Sequence, residues 1–156
     1  KFNTSDSAGV LFLNLLNIPF AIITGEDTEI VKRRAEKLNV KHLYMGVKDK
    51  VIVAENLCKE LNIKMDEVAY IGDDLNDILL LKRVGLSASP ANASMYIKNI
   101  TDINLKTRGG DGAFREFIDT IVELSPSLGL KPARGSGWAH DVGILPVFHN
   151  LSDLLT

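Results

Sequence analysis

The sequence predicts a three-layer α/β protein with a parallel, doubly wound sheet, on three observations. Short apolar runs of strand length alternate with amphipathic stretches of helix length from about residue 5 to residue 124. The intervals between the runs are long enough for crossover helices and too long for hairpins, which makes neighbouring strands parallel. The run Val68-Ala-Tyr-Ile-Gly72 stops at a glycine and then presents Asp73, Asp74 and Asp77. Three carboxylates within five residues stand there at a strand-to-helix edge, where open α/β sheets bind their ligands.

Each element has its own signal. Ser5 or Asp6 can cap a helix carrying Val10, Leu11, Leu13, Leu15 and Leu16, ended by Asn17 before Pro19. Phe20 to Thr24 reads as a buried strand. Asp27 or Thr28 opens a helix with Ile30, Val31, Arg34, Ala35 and Leu38 at three-four spacing. Leu43 to Gly46 is a short strand, and Asp49 opens a helix with Val51, Ala54, Leu57, Cys58 and Leu61 on one side. Val68 to Gly72 is the third strand, Leu75 to Val84 its helix, and Leu86 to Ser89 a fourth strand. A helix over 92–98, a strand over 103–105 and a helix from Gly112 to Leu124 complete the set. Residues 1–124 thus form one core. Residues 125–156 are an unassigned linker and tail, because Ser125 to Gly137 holds two Pro and three Gly with little periodicity. Gly143 to Leu155 regains apolar residues as a docking segment or an unrelated tail.

Composition narrows the function. The 156 residues are 46% hydrophobic and 24% charged, with a net charge of −2. A weakly acidic surface argues against nucleic-acid or anionic-membrane partners. The densest basic run, Lys32-Arg33-Arg34 with Lys37, is interleaved with Glu29 and Glu36 and reads as a solvated helix face. The single cysteine, Cys58, lies on an apolar stripe and points to core packing in a reducing, cytoplasmic setting. No run approaches the roughly 18 apolar residues of a membrane span.

Four strand ends carry candidate chemistry. Thr24-Gly25-Glu26 offers a hydroxyl and exposed amides, a cradle for phosphoryl oxygens or simply a turn. Lys50, in the first turn of a helix, could neutralise a phosphate or pair with Asp73. The carboxylates Asp73, Asp74 and Asp77 repel one another unless a cation joins them. Few hard oxygen ligands beside a phosphate site suit Mg²⁺, while the plainer reading makes Asp74 a helix N-cap and Asp77 its N3 residue. Arg108-Gly-Gly-Asp-Gly112 is a Gly-rich loop headed by a fork-shaped anion binder.

Thr24, then Lys50 after 26 positions, then Asp73 after 23 more, each at a strand end, resembles motifs two, three and four of the haloacid dehalogenase superfamily of phosphatases. Ile23-Thr-Gly-Glu26, Gly46-Val-Lys-Asp-Lys50, Ala69-Tyr-Ile-Gly-Asp-Asp-Leu-Asn-Asp77, Leu81-Lys-Arg-Val-Gly85 and Arg108-Gly-Gly-Asp-Gly-Ala-Phe-Arg-Glu116 look like the 3-deoxy-manno-octulosonate 8-phosphate phosphatases and the related phosphatases of nine-carbon keto-sugar acids. The likeness runs from Lys1 to about Val122. It implies a Rossmann-like fold and a Mg²⁺-dependent phosphomonoesterase that passes through an aspartyl-phosphate. On this resemblance Asp73 ligates the metal with Asp74 and Asp77 in support, Thr24 binds the phosphoryl group and Lys50 balances charge. Gly25, Glu26, Arg108, Gly109 and Gly110 contact the small-molecule sugar phosphate. The Gly-rich segment of such relatives often closes over a neighbouring subunit's site, which implies a homo-oligomer, a tetramer. Octulosonate enzymes usually carry Arg where Glu26 stands, which favours a nonulosonate 9-phosphate here.

One element of the resemblance is lacking. The family's first motif, a strand ending in Asp-x-Asp-Gly, supplies the nucleophile, and no Asp-x-Asp occurs in the 156 residues. Ala139-His-Asp-Val-Gly143 has one Asp and no strand before it. Losing a central strand would leave its neighbours' backbone groups unpaired. The expectation is a chain whose N-terminal strand is missing, or a gap partly filled by the tail around Gly143–Phe148. The competing reading is a non-catalytic assembly module, as in domains fused to sugar-nucleotide synthetases. Retention of Thr24, Lys50 and Asp73 together argues against it.

Overall fold

The computed structural model describes residues 4–124 and 147–149, with the backbone alone at 4–6 and 147–149. In chain order the elements are α1 (Thr4–Leu15), β1 (Phe20–Ile23), α2 (Glu29–Lys37), β2 (His42–Tyr44), α3 (Lys50–Leu61), β3 (Ala69–Ile71), α4 (Ile78–Leu81), β4 (Leu86–Ser89), α5 (Met95–Lys98), β5 (Ile103–Asn104), α6 (Ala113–Leu124) and β6 (Val147–His149). The strands form one sheet in the order β2-β1-β6-β3-β4-β5, with every pairing parallel.

Alternation along each strand sorts side chains into two cores, one on either face of the sheet. Phe20, Ile22, Ala69, Ile71 and Ala88 face α1, α2 and α6, where Val10, Leu13, Val31, Ala35, Phe114 and Phe117 meet them. Ala21, Ile23 and Tyr70 face the other way, onto Ala54, Leu57 and Cys58 of α3, Leu80 and Leu81 of α4, and Ile97 of α5. The predicted three-layer architecture is therefore the one observed. Helices α1, α2 and α3 stop by the same device: Asn17, Asn39 and Asn62 have φ of 55°, 54° and 55°. Asparagine tolerates this left-handed geometry, and the residue after each returns an amide to the helix, as Ile63 N–H does to Cys58 O at 2.9 Å.

Several boundaries and faces differ from expectation. In α1, Leu11 and Leu15 are exposed while Val10 and Leu13 are buried, so the apolar stripe is narrower than the sequence reads. Arg34 is not on the solvated face with Lys32 and Arg33: it is buried and donates to Ser7 Oγ at 3.0 Å. Strand β2 starts at His42 and stops at Tyr44, because Gly46 (φ 63°) turns the chain. The helix expected over 75–84 begins as a 3₁₀ turn, Leu75–Asp77, before α4. Helix α5 starts at Met95, capped by Ser94, because the Asn92 side chain is engaged elsewhere. Gly85 is obligatory on contact grounds. A Cβ there would lie 1.8 Å from Asp66 O.

Strand β6 occupies the place between β1 and β3 that the sequence leaves without a strand. Phe20, Ala21 and Ile22 pair with Val147, Phe148 and His149 on one side, and Ala69, Tyr70 and Ile71 pair with the same residues on the other. The sheet's middle backbone groups are thereby matched from the C-terminal part of the chain. The remaining tail candidates, 125–146 and 150–156, lie outside the described residues.

Candidate functional site

The loops that follow β1, β2, β3, β4 and β5 all emerge at the C-terminal edge of the parallel sheet, and the predicted residues sit on them. Thr24 ends β1, 2% exposed. Its amide donates to Tyr44 O at 2.9 Å, and its hydroxyl oxygen accepts the Glu26 amide at 3.1 Å, so the hydroxyl is fixed while its own proton remains to donate. Gly25 and Glu26 are exposed above it. Val47 N–H to Thr24 O at 3.0 Å and Gly46 N–H to Glu26 O at 3.1 Å bind the loop after β2 against this turn. A Cβ on Gly25 would lie 3.7 Å from Asn76 Nδ2, which brings the loop after β3 to the same place.

Lys50 opens α3. Asp49 caps the helix, its Oδ1 accepting from Val51 N at 3.0 Å and Ile52 N at 3.2 Å, which directs the Lys50 side chain inward. Only 3% exposed, it donates to Asp77 Oδ1 at 2.5 Å and to Asn76 Oδ1 at 3.3 Å. The expected pairing of Lys50 with Asp73 is thus corrected. Its carboxylate is Asp77, because the tight 3₁₀ turn folds Asp77 back under the loop. Asp77 is fully buried and takes more than the lysine. Tyr70 Oη donates to the same Oδ1 at 2.5 Å, and Oδ2 accepts the amides of Asp73 and Asp74, each at 3.1 Å. Gly72 leaves room for this carboxylate: a Cβ there would stand 2.8 Å from Asp77 Cγ. Asp74 caps the turn through Oδ1 on Leu75 N at 2.7 Å. The plainer reading of Asp74 and Asp77 as cap and N3 residue is realised together with the buried ion pair.

The register brings the ends of β1 and β3 to the same height: Ile22 and Ile71 both pair with His149, and Thr24 and Asp73 each follow two residues later. On its other side β3 stays bonded to β4 one residue beyond Ile71, where Gly72 N donates to Ala88 O at 3.1 Å. Two strand spacings separate the backbones, about 10 Å. That gap suits one phosphoryl group and one cation. Asp73 is half-buried at its rim. Among the described residues no three His, Cys, Asp or Glu side chains group into a metal cage. Asp77 is committed to Lys50, and Asp74 caps the turn. A hard ion that keeps several waters and takes substrate oxygens fits such a sparse donor set.

Arg108, Gly109 and Gly110 follow β5 on the far side of the β4 loop from Asp73, and Arg108 is exposed. Gly110 (φ 79°) and Gly112 (φ 107°) shape the loop. Gly109 N–H donates to Asn92 Oδ1 at 2.6 Å, and Ala91 N–H to Thr107 O at 2.9 Å, tying the loop to the segment after β4. Its base hangs on Glu116, whose Oε1 and Oε2 accept the Lys106 and Thr107 amides at 3.0 and 2.8 Å. Burial works to raise the Glu116 pKa, but the bonds from Thr107 and Lys106 and the Lys106 charge outweigh it, and the carboxyl sits below its ordinary 4.5. A depressed carboxylate stabilises its surroundings above the unfolded value and ceases to as pH falls through the folded one. Amide exchange at Lys106, Thr107 and Gly109, corrected for intrinsic rate, is therefore expected to accelerate once pH drops below about 4.5, and Glu116→Gln should abolish that pH dependence.

Cys58 is 4% exposed, and burial first, then Glu55 and Glu67, push its thiol up to about 11. It is a core thiol. Tyr70, Asn76, Asn92 and Glu116 were not legible as site residues. For Tyr70 a signal existed, a lone hydroxyl in an otherwise apolar strand.

This arrangement defines a class. A family model described as haloacid dehalogenase-like hydrolase matches residues 42–117. The 3-deoxy-D-manno-octulosonate 8-phosphate phosphatase of Haemophilus influenzae is 35% identical over 123 residues, 79% of this chain and 68% of that protein. The Yersinia pestis enzyme of the same name is 37% identical over 78% of this chain and 65% of that protein. The chain thus spans about two thirds of the length of these relatives. Among solved structures, the cobalt-bound Haemophilus influenzae phosphatase superimposes with a TM-score of 0.76 at 35% identity, covering 79% of this chain and 72% of that one. The Moraxella catarrhalis phosphatase, in complex with magnesium, phosphate and its sugar acid, does so at 0.75 and 34% identity over 79% and 71%. The chain belongs to the 3-deoxy-D-manno-octulosonate 8-phosphate phosphatase family of haloacid dehalogenase-like hydrolases. Among the described residues no helix is long and apolar enough to cross a membrane.

Proposed function

We propose that these residues serve a Mg²⁺-dependent phosphomonoesterase acting on a keto-deoxy sugar acid phosphate through an aspartyl-phosphate. The observation that supports this reading is that β1 and β3 end at the same height, Thr24 and Asp73 each following two residues after a partner of His149, with Lys50 held by Asp77 at the same sheet edge. Thr24 donates its hydroxyl proton to a phosphoryl oxygen, and exposed amides at Gly25 and Glu26 add donors. Lys50 sets a fixed positive charge behind the reacting group. Asp73 would hold Mg²⁺, which when bound neutralises phosphoryl oxygens and so favours attack by an anion. A carboxylate attacks phosphorus, the P–O bond to the sugar breaks, and the sugar oxygen takes a proton; water then cleaves the acyl phosphate and releases inorganic phosphate. The attacking carboxylate belongs at the end of the strand between β1 and β3, the position that faces both Thr24 and Asp73. The 156 residues hold no Asp-x-Asp pair for it.

The reference substrate is 3-deoxy-manno-octulosonate 8-phosphate, the substrate named for the relatives. Glu26 adjusts the preference, since its exposed carboxylate repels one sugar acid and accepts hydrogen bonds from another. Phosphate release is expected to be negligible for residues 1–156 alone, and Mg²⁺-dependent when an Asp-x-Asp strand precedes them and enters the slot that β6 fills. In that longer protein, Glu26→Arg should shift the ratio of kcat/KM between octulosonate 8-phosphate and nonulosonate 9-phosphate by about tenfold, roughly one charge contact. Robust Mg²⁺-dependent turnover by residues 1–156 would show that the nucleophile lies elsewhere.

A further inference from the structure

We infer that Tyr70 is a positioning residue of this site, acting through Asp77 on both Lys50 and the backbone that carries Asp73. The ring lies in the core between the sheet and α3, fully buried among Ala21, Ile23, Ala54, Leu57, Cys58 and Leu80. Packing alone would be satisfied by phenylalanine. The hydroxyl, however, ends on Asp77 Oδ1 at 2.5 Å, the same oxygen that receives Lys50 Nζ at 2.5 Å.

The geometry gives the hydroxyl two effects. Asp77 stands at a junction: Oδ1 faces the core and the lysine, while Oδ2 takes the Asp73 and Asp74 amides at 3.1 Å each. A carboxylate can rotate about its Cβ–Cγ bond, and rotation here would exchange the lysine's partner for the amides'. Donors on both sides of Oδ1 remove that freedom. Tyr70, rooted on β3 three residues before Asp73, approaches from the core, and Lys50 approaches from α3, so the carboxylate plane is fixed from two elements at once. With the plane fixed, the ammonium stays at one point, and the Asp73–Asp74 turn is held by its two amides on Oδ2. Lys50 also donates to Asn76 Oδ1 at 3.3 Å. Close hydrogen bonds to an ionised acceptor in a dry site are the strong kind, which makes the tyrosine hydroxyl worth keeping in an otherwise apolar run.

The part of this inference that concerns Asp73 rests on the reading of that residue as the Mg²⁺ ligand; the part that concerns Lys50 does not. The experiment therefore has two readouts on the 156-residue protein. The first is the Lys50 ammonium signal in ¹⁵N-detected NMR, assigned by its loss in Lys50→Met, with the exchange rate of its protons with water. The second is Mg²⁺ affinity from the shifts of the Asp73 and Asp74 amides. Tyr70→Phe keeps the ring and removes the hydroxyl. Cys58→Ala perturbs the same core without touching Asp77 and serves as the comparison for general loosening.

Tyr70→Phe is expected to speed exchange of the Lys50 ammonium protons about ten- to a hundredfold and to weaken Mg²⁺ binding in the same direction, the scale of one hydrogen bond to a charged group. Cys58→Ala should change neither. An unchanged Lys50 signal in Tyr70→Phe, or the same acceleration in Cys58→Ala, would overturn the inference and leave Tyr70 an ordinary core residue. If the wild-type protein gives no Mg²⁺-dependent shift at Asp73, the metal reading fails separately, and the Lys50 signal alone decides the role of Tyr70.

Discussion

Asp77→Ala is expected to destabilise the protein by about 3–5 kcal/mol, read as a lowered urea midpoint with an unchanged slope. The size follows from what the carboxylate compensates. Lys50 and Asp77 have side chains 2% and 0% exposed, so removing the aspartate leaves a buried ammonium whose remaining partner among the described residues is Asn76. The Tyr70 hydroxyl and the Asp73 and Asp74 amides lose their acceptor in the same step. Breaking one partner of a buried pair is costly because the other charge remains, whereas removing both is much less so. Lys50→Met combined with Asp77→Leu should accordingly be more stable than Asp77→Ala alone. A double variant at least as unstable as Asp77→Ala would show that the backbone clamp, rather than the charge, dominates. By comparison, the exposed pairs Arg83–Glu55 at 2.8 Å and Arg115–Asp119 at 2.8 Å should each be worth a few tenths of a kcal/mol.

The second large effect is on turnover. In a protein that carries an Asp-x-Asp strand ahead of these residues, Asp73→Asn is expected to lower kcat/KM for octulosonate 8-phosphate by at least about a hundredfold. Asparagine preserves the backbone amide that Asp77 holds and nearly the same volume, so the loop should survive and the melting temperature should scarcely move. What disappears is the negative charge proposed to hold Mg²⁺. Raising Mg²⁺ concentration should restore part of the loss, because a weakened site is refilled by mass action. Full activity in Asp73→Asn would mean that the cation is held elsewhere.

Strands and helices were legible here because the signals are redundant. In β1 and β3 the apolar run, the flanking polar residues and the following helix all agree, and Thr28 and Asp49 do cap the helices they were read to open. That Thr24, Lys50 and Asp73 lie at one sheet edge could be read because a parallel sheet returns every strand end to that edge, whatever the sequence distance. What could not be read depends on packing. The partner of Lys50 was decided by the 3₁₀ turn that buries Asp77, a matter of which of three carboxylates faces inward. Arg34 turned in toward Ser7 although its neighbours Lys32 and Arg33 are solvated. The anchoring of the Gly-rich loop by Asn92 and Glu116 joins residues 17 and about 10 positions apart through side-chain contacts that no periodicity encodes. Strand β6 was legible as one of two alternatives. The unmatched backbone of β1 and β3 pointed to a gap that the tail around Gly143–Phe148 could partly fill, and Val147–His149 lie there, but which residues pair and in what register depends on packing.

The claim that Thr24, Lys50 and Asp73 form one phosphoryl–metal centre is tested most directly by a crystal structure with Mg²⁺ and inorganic phosphate of the protein bearing an Asp-x-Asp strand upstream. The account predicts phosphate within hydrogen-bond distance of the Thr24 hydroxyl, beside the Lys50 ammonium, and Mg²⁺ at about 2.1 Å from an Asp73 oxygen. Phosphate bound away from Thr24, Mg²⁺ without Asp73 as a ligand, or a Thr24 hydroxyl more than about 12 Å from the Asp73 carboxylate, too far to share one phosphate–metal centre, would contradict it.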